Sequence, residues 1–264
     1  MMKITKQRIS RAIWTFKQPL TKQPSIAGSP VSDLFLWRCN RDWETFFELI
    51  DISAMFGARQ PVPNVAKIMF FDAAGIMLRI KEIELIPNQR KTLKISDFLS
   101  ENDGEVGTFC VFHMVTPDVI SHLGSFLAER GYVSYQYRDA PLRSYVHGNL
   151  DAVSLNGSRL EMLGGCSWLK RRYALQYQFI PNNDYELAIA NPTDKKQHIK
   201  LTLFDMDNKQ VFVDDAHIAP GGVHLTAFDK LQSSPTLLSV ESKMIMARPS
   251  IFKIKNDVLD VFHG

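Results

Sequence analysis

Apolar and polar residues alternate along several short stretches of this chain. From 173 to 179 (YALQYQF) and again from 199 to 203 (IKLTL), every second side chain is apolar. A period of two indicates a β-strand with one buried face. Turn-forming residues at 191–194 (NPTD), 207–208 (DN) and 220–222 (PGG) separate the stretches, which favours hairpin connections over helical crossovers. The pattern therefore predicts an all-β protein whose antiparallel sheets pack as a sandwich.

The same pattern occurs twice along the chain. The segment FDAAGIMLRIKEIELIPNQRKTLKISDFL, which starts at Phe71, aligns with FDMDNKQVFVDDAHIAPGGVHLTAFDKL, which starts at Phe204, and Pro87 then coincides with Pro220. Upstream, 47–50 (FELI) matches 185–188 (YELA), and downstream 145–148 (YVHG) matches 261–264 (VFHG). Four matches in the same order predict an internal duplication. We therefore expect two tandem antiparallel β-sandwiches.

One short helix is predicted in the first copy, over 117–130. Thr116 and Pro117 are residue types that start helices, Gly131 is a type that ends them, and apolar residues at 120, 123 and 127 recur at helical spacing. The second copy has no equivalent segment, so the helix is expected to be an insertion. The predicted divisions are a basic arm and linker over 1–32, β-sandwich 1 over 33–150, and β-sandwich 2 over 151–264.

Composition and charge exclude several classes of protein. The chain has 264 residues, of which 45% are hydrophobic and 22% charged, proportions that exclude disordered, collagen-like and disulfide-scaffold proteins. Three cysteines at wide spacing are expected to be reduced thiols, with no disulfide framework and no metal site. No apolar run is long enough for a membrane span or a signal peptide. We therefore expect a cytoplasmic protein.

The N-terminal arm carries a disproportionate share of the positive charge. Residues 1–32 contain six Lys or Arg and no acidic residue, so the formal net charge of +3 leaves −3 on the rest of the chain. The arm also contains four large apolar residues: Ile9, Ile13, Trp14 and Phe16. They favour docking on protein, either the body of the same chain or a second copy in a homo-oligomer, over contact with nucleic acid or a membrane surface.

The second copy resembles a known family of small proteins. Its segment YELAIANPTDKKQHIKLTLFDMDNKQVFVDDAHIAPGGVHLTAFDKL, followed by LLSVESKMIMARPSIF, is similar to the cytosolic β-sandwich family of sensory-rhodopsin transducers. The resemblance covers about residues 173–252 and is repeated more faintly over 46–114. It implies a β-sandwich fold, oligomeric assembly, and a role as a signalling or ligand-binding partner.

No motif of an enzyme family is present. The sequence contains no P-loop, no dinucleotide-binding glycine motif and no H-E-x-x-H, so no cofactor and no metal are expected. Cys110 and His113 lie three apart on a predicted strand and would point to opposite faces, which excludes a nucleophile–base pair within that strand. Catalytic residues are therefore predicted to be absent, although an enzyme with residues dispersed over both sandwiches stays open.

Aromatic and basic residues cluster at the end of the first copy. Planar aromatic rings beside arginine can stack on sugar rings, and the duplicated His-Gly endings place a histidine next to an aromatic residue in each copy. The candidate ligand-binding residues are Tyr135, Tyr137, Arg138, Arg143, His147 and His263. We expect a non-catalytic binding or assembly protein with a carbohydrate or protein partner. The alternative is an enzyme or accessory factor of polysaccharide metabolism that uses the inter-domain cleft.

Overall fold

A computed structural model describes residues 21–56, 63–115, 120, 126–228, 236–245 and 248–264. The arm at 1–20 lies outside these residues, as does most of the helix predicted at 117–130. One part of that helix prediction is wrong. Ala128–Glu129 form a two-residue strand that pairs in parallel with Val31 and Ser32, and the buried carboxylate of Glu129 accepts a hydrogen bond from the backbone of Gly131.

The first part of the chain forms two packed sheets, as the alternating pattern predicts. One sheet has the order β11-β10-β1-β6-β3-β4, with β7 also paired to β1, and the other has the order β5-β2-β8-β9. A four-residue helix, α1 (Ile52–Met55), and two 3-10 turns, Ile95–Phe98 and Glu101–Asp103, connect strands. The strands are β1 Val31–Arg38, β2 Trp43–Ile50, β3 Val65–Asp72, β4 Met77–Glu84, β5 Arg90–Lys94, β6 Val106–His113, β7 Ala128–Glu129, β8 Tyr132–Tyr137, β9 Ser144–His147, β10 Asn149–Asn156 and β11 Arg159–Met162.

The second part repeats this arrangement in two four-stranded sheets, β12-β17-β14-β15 and β16-β13-β18-β19. Together the two parts confirm the all-β, antiparallel fold. The strands are β12 Cys166–Phe179, β13 Asp184–Ala190, β14 Gln197–Phe204, β15 Gln210–Ile218, β16 Val223–Phe228, β17 Thr236–Met244, β18 Ser250–Lys255 and β19 Val258–His263.

Strand pairing shows the duplication directly. The order β1-β6-β3-β4 recurs as β12-β17-β14-β15, and β5-β2-β8-β9 recurs as β16-β13-β18-β19. In each copy the pairing register shifts immediately before this phenylalanine. Phe71 then pairs with Met77, and Phe204 pairs with Gln210. The two phenylalanines therefore occupy equivalent positions, as the sequence alignment predicts.

The upstream part of that alignment is displaced by two residues. Taking His147 and His263 as equivalent makes Val133 and Ile251 equivalent as well. Val133 pairs with Phe47 in the first copy, and Ile251 pairs with Leu187 in the second. Phe47 thus corresponds to Leu187 rather than to Tyr185. A shift of two residues keeps every side chain on the same face, so the apolar pattern alone could not detect it.

Hydrogen bonding extends the first sandwich past the expected boundary near residue 150. Strand β10 pairs with β1, and β11 pairs with β10, so the first sheet reaches Met162. The hairpin also covers apolar residues on the outer face of that sheet, among them Met69, Phe71 and Phe112. The division into independently folding units stays a prediction.

The second sandwich docks on the first through the outer face of β13, β18 and β19. Ala188, Phe252, Ile254 and Val261 belong to the same buried cluster as the core of the first sandwich, whereas the second sandwich has a separate core of its own. The buried guanidinium of Arg38 pairs with Glu186 across this contact. The two sandwiches therefore share apolar and ionic contacts.

Candidate functional site

The predicted ligand-binding residues do not form one surface. Tyr135 is completely buried, and its hydroxyl donates a hydrogen bond of 2.9 Å to the backbone oxygen of Leu36 in the opposite sheet. Burial also raises the pKa of Tyr135 above its usual value. This side chain therefore serves the core and cannot contact a ligand at the surface.

Tyr137 and Arg138 lie at the rim of the same sheet. The Tyr137 ring packs 4.9 Å from the ring of Trp43, and the Arg138 guanidinium lies 4.8 Å from the centre of the Tyr137 ring. Arg138 also pairs with Asp42, at 3.7 Å, and with Asp257. The positive charge of Arg138 is therefore already neutralised by two carboxylates and is less available to a ligand.

The two duplicated histidines meet at the contact between the sandwiches. His263 Nε2 lies 2.9 Å from the backbone oxygen of His147, so the imidazole donates this hydrogen bond. Burial lowers the pKa of His263 from its ordinary value, and the positive charge of Arg248 acts in the same direction. A cavity of about 20 Å³ lies beside both histidines. His263 thus belongs to the inter-sandwich contact.

Two of the predicted residues, Arg143 and His147, lie on the outward side of the same sheet, together with tyrosines that are not Tyr135 or Tyr137. Because Phe47 and Val133 point into the core, the alternate residues of β2, β8 and β9 point outward. The register places Tyr132 opposite His147, and Ser134 between Phe46 and Tyr145. We call this side of the sheet the aromatic face. It consists of the exposed Tyr132, Tyr145 and His147, the buried Phe46 and Ser134, and Arg143 from the loop before β9.

Two tyrosines dominate the aromatic face. Tyr132 is 49% exposed and Tyr145 is 50% exposed, and the Tyr132 ring lies 4.3 Å from the ring of His147. The two tyrosines occupy diagonal positions on neighbouring strands, about 7–8 Å apart by sheet geometry. They form an aromatic platform on one face of the sheet.

Beside the tyrosines, Arg143 covers Phe46. The guanidinium carbon lies 3.4 Å from the centre of the Phe46 ring, a cation–π contact that fixes the arginine on the face. Ser134 is fully buried, and its hydroxyl has no hydrogen-bond partner among the described residues.

Carboxylates line the other half of the same sheet. Glu48 accepts a hydrogen bond of 2.9 Å from Thr92 and lies 3.4 Å from Arg90. Glu44 accepts a hydrogen bond of 2.7 Å from Ser96 and pairs with Lys94 at 3.1 Å. The hydrogen bond from Lys94 to the Glu44 carboxylate raises the pKa of Lys94. The aromatic face therefore borders groups that can bind hydroxyls.

Cys39 and Cys110 are poor nucleophiles in this structure. Burial, assisted by the charge of Glu44, raises the pKa of Cys39 to about 12. Burial likewise raises the pKa of Cys110, which is completely enclosed. Both are thus protonated at neutral pH. Across the residues that the structure describes, no group of three or more His, Cys, Asp or Glu side chains is arranged to hold a metal ion.

Which face of β8 is buried is what the sequence left open. Alternation separates Tyr132 from the candidates Tyr135 and Tyr137, but it does not say which side of the strand is covered. The apolar Val133, on the same face as Tyr135, was the available signal for the buried side. Tyr145 and Tyr132 then follow as the exposed pair.

Comparisons with known proteins do not assign a family. No family model and no curated protein matches this chain. Among solved structures, it is similar to a β-glucuronidase from glycoside hydrolase family 2 (12% identity, 87% of this chain and 23% of that chain, TM-score 0.15). Two further similarities are to infectious bursal disease virus, the Gx strain (12% identity, 84% of this chain and 54% of that chain, TM-score 0.16) and the Gt strain (13%, 83% and 53%, TM-score 0.16).

The chain spans between about a quarter and just over half the length of these structures. At such TM-scores the similarities carry no argument about fold or function. In the described parts of the chain, no helix has the length and apolar character needed to cross a membrane.

Proposed function

We propose that this protein is a non-catalytic carbohydrate-binding protein and that the aromatic face is its binding surface. The observation that carries the proposal is the pair of half-exposed tyrosines, Tyr132 and Tyr145, on one face of a β-sheet. Tyrosine offers a large, rigid surface that loses little conformational entropy on binding. The weakly polar faces of sugar rings suit such a platform.

Polar groups around the platform support the same ligand class. Arg143 can donate hydrogen bonds to ring hydroxyls, while the carboxylates of Glu44 and Glu48 can accept them. A binding surface of this kind combines apolar contact area with a few oriented polar groups. Glu44 and Glu48 are held on β2, and Arg143 is held over the Phe46 ring, so little ordering is needed when the ligand binds.

The contact between the two sandwiches gives less support to an enzyme. The cavity beside His147 and His263 has a volume of about 20 Å³, which is room for about one water molecule. Phe252, on the same side of the second sandwich, is completely buried. A polysaccharide substrate would not fit there.

A binding experiment with matched variants tests the proposal. A glycan array of the purified protein, followed by calorimetry on the best ligand, should give binding that Tyr132→Ala and Tyr145→Ala each weaken by about 10-fold or more. Tyr132→Phe should retain most of the affinity if stacking is the main contribution. Leu142→Ala, at an 80% exposed position in the loop before β9, is the control.

Two results would overturn the proposal. One is the absence of binding across the array by protein that is folded. The other is binding that survives both tyrosine substitutions unchanged, because the ligand would then occupy a different surface.

A further inference from the structure

A second candidate site lies on the second sandwich, at a cleft of about 680 Å³ lined by lysines. Lys22 enters it from the linker, Lys195 and Lys196 from the loop between β13 and β14, and Lys243 from β17. Four positive charges thus surround one depression. None of the candidate residues chosen from the sequence lies in this cleft.

Few negative charges compensate these lysines. Asp194 pairs with Lys22 at 2.8 Å, and the hydrogen bond from Lys22 lowers the pKa of that aspartate. No carboxylate among the described residues lies within 4 Å of the ammonium groups of Lys195, Lys196 or Lys243. Like charges held close together favour an anionic ligand that neutralises them.

The loop that carries two of the lysines is held rigidly. Asn191 is completely buried, and its side-chain amide donates hydrogen bonds of 2.8 Å to the backbone oxygen of Lys195 and 2.9 Å to that of Ile218. The backbone N–H of Thr193 donates a hydrogen bond of 2.9 Å to Asn191 Oδ1, and the Thr193 hydroxyl lies 3.0 Å from the same oxygen of Lys195, to which it can donate its one proton. This buried network fixes the backbone of Lys195 without using its ammonium group.

A large aromatic side chain stands at the edge of the cleft. Trp168 is 74% exposed and lies on β12, which is an edge strand of its sheet. The pairing of β12 with β17 is irregular between Cys166 and Arg171, so this stretch departs from the regular ladder. Trp168 lines the same cleft as the lysines.

We propose that the cleft binds a nucleotide unit, with the phosphate on Lys195, Lys196 and Lys243 and the base stacked on Trp168. Lysine is a frequent phosphate ligand, and base stacking on aromatic side chains is tolerant of sequence. A free nucleotide and a single-stranded nucleic acid share this chemistry. The site is separate from the aromatic face, and its existence does not depend on carbohydrate binding.

Stacking distinguishes this ligand class from an acidic polysaccharide. Both kinds of polyanion would be attracted by the lysines. Only a nucleotide has a planar aromatic ring that can stack on the exposed part of the indole, so the effect of replacing Trp168 separates the two ligand classes.

The experiment measures binding of ATP by calorimetry and of a labelled eight-residue oligothymidylate by fluorescence anisotropy, in low salt. Binding of ATP alone identifies a free nucleotide as the ligand, and tighter binding of the oligonucleotide identifies a single strand. Trp168→Ala should weaken binding by about 10-fold or more. Leu169→Ala, at the neighbouring position with 77% exposure, should leave it unchanged.

The lysines are tested by salt dependence. Three phosphate contacts predict a slope of log K against log salt of about −2 for a single strand. The triple variant K195Q/K196Q/K243Q should bring that slope close to zero. The matched control, K81Q/K91Q/K209Q, removes the same net charge at exposed positions that do not line the cleft, and should keep the slope.

Three outcomes would overturn the inference. The first is failure of both probes to bind the folded protein. The second is binding that Trp168→Ala does not weaken, which would show nonspecific attraction to the lysines. The third is a sulfated polysaccharide that binds as tightly as the oligonucleotide, because it has no base to stack.

Discussion

Replacing Phe252 with alanine tests whether the two sandwiches form one cooperative unit. Phe252 points out of its own sandwich and contributes nothing to that core, yet it is completely buried. Its ring packs 5.2 Å from Trp43 and 5.0 Å from Tyr135, and the guanidinium of Arg38 lies 4.8 Å from its centre. All three contacts are made with the first sandwich.

The expected loss follows from that burial. Removing a fully buried phenylalanine ring costs about 3–5 kcal/mol through lost apolar contact and the cavity that remains. For a chain of this length, about 4 kcal/mol corresponds to a fall in Tm of about 8 °C. If the sandwiches were not docked, Phe252 would be a surface residue, and its replacement would cost less than about 0.5 kcal/mol.

The measurement is calorimetric or chemical unfolding of wild type and F252A. Phe179→Ala, inside the second core and also completely buried, should destabilise the protein whether or not the sandwiches dock. Phe56→Ala, at a 55% exposed position, should have little effect. An F252A variant with the Tm of wild type, beside a destabilised F179A, would refute the docked arrangement.

Three further substitutions have defined outcomes. Gly75→Ala should lower the free energy of unfolding by about 2 kcal/mol or more in a denaturant titration, because Gly75 has a φ of +78° and a Cβ there would overlap the backbone oxygen of Pro220. Asn191→Ala should cost about 1–3 kcal/mol by leaving buried partners unsatisfied, and an unchanged denaturation midpoint would contradict this. Burial lowers the pKa of His263, so as pH falls below about 6.5 this histidine takes up a proton in the unfolded chain but not in the folded chain. The free energy of unfolding should therefore decline with falling pH. In thermal melts from pH 7.5 to 5.5, the fall in Tm should be shallower for H263Q than for wild type.

Much of the strand structure could be read from local pattern. The stretch 173–179 forms the end of β12, with Leu175 and Phe179 buried. Its alternation puts the apolar side chains on one face of the strand, and that face packs against the core. The matched positions of Phe71 and Phe204 follow from the duplication, since two copies of one pattern fold to one strand order.

The candidate sites could be predicted only in part. The sequence indicates that aromatic and basic residues cluster near the end of the first copy, and alternation places Tyr132 and Tyr135 on opposite faces of β8. It does not say which of the two faces is buried. The lysine cleft joins residues that are far apart in the sequence, from Lys22 to Lys243. No local pattern relates them.

By itself, the sequence determined the class of fold and the repeat, because both depend on periodicity within short segments. Tertiary structure decided which face of β8 is buried, that β10 and β11 join the first sheet, and that Phe252 is enclosed. Each depends on a pairing between distant segments. Local propensity is equally compatible with an exposed or a covered sheet face, and only the packing of the opposite surface distinguishes them.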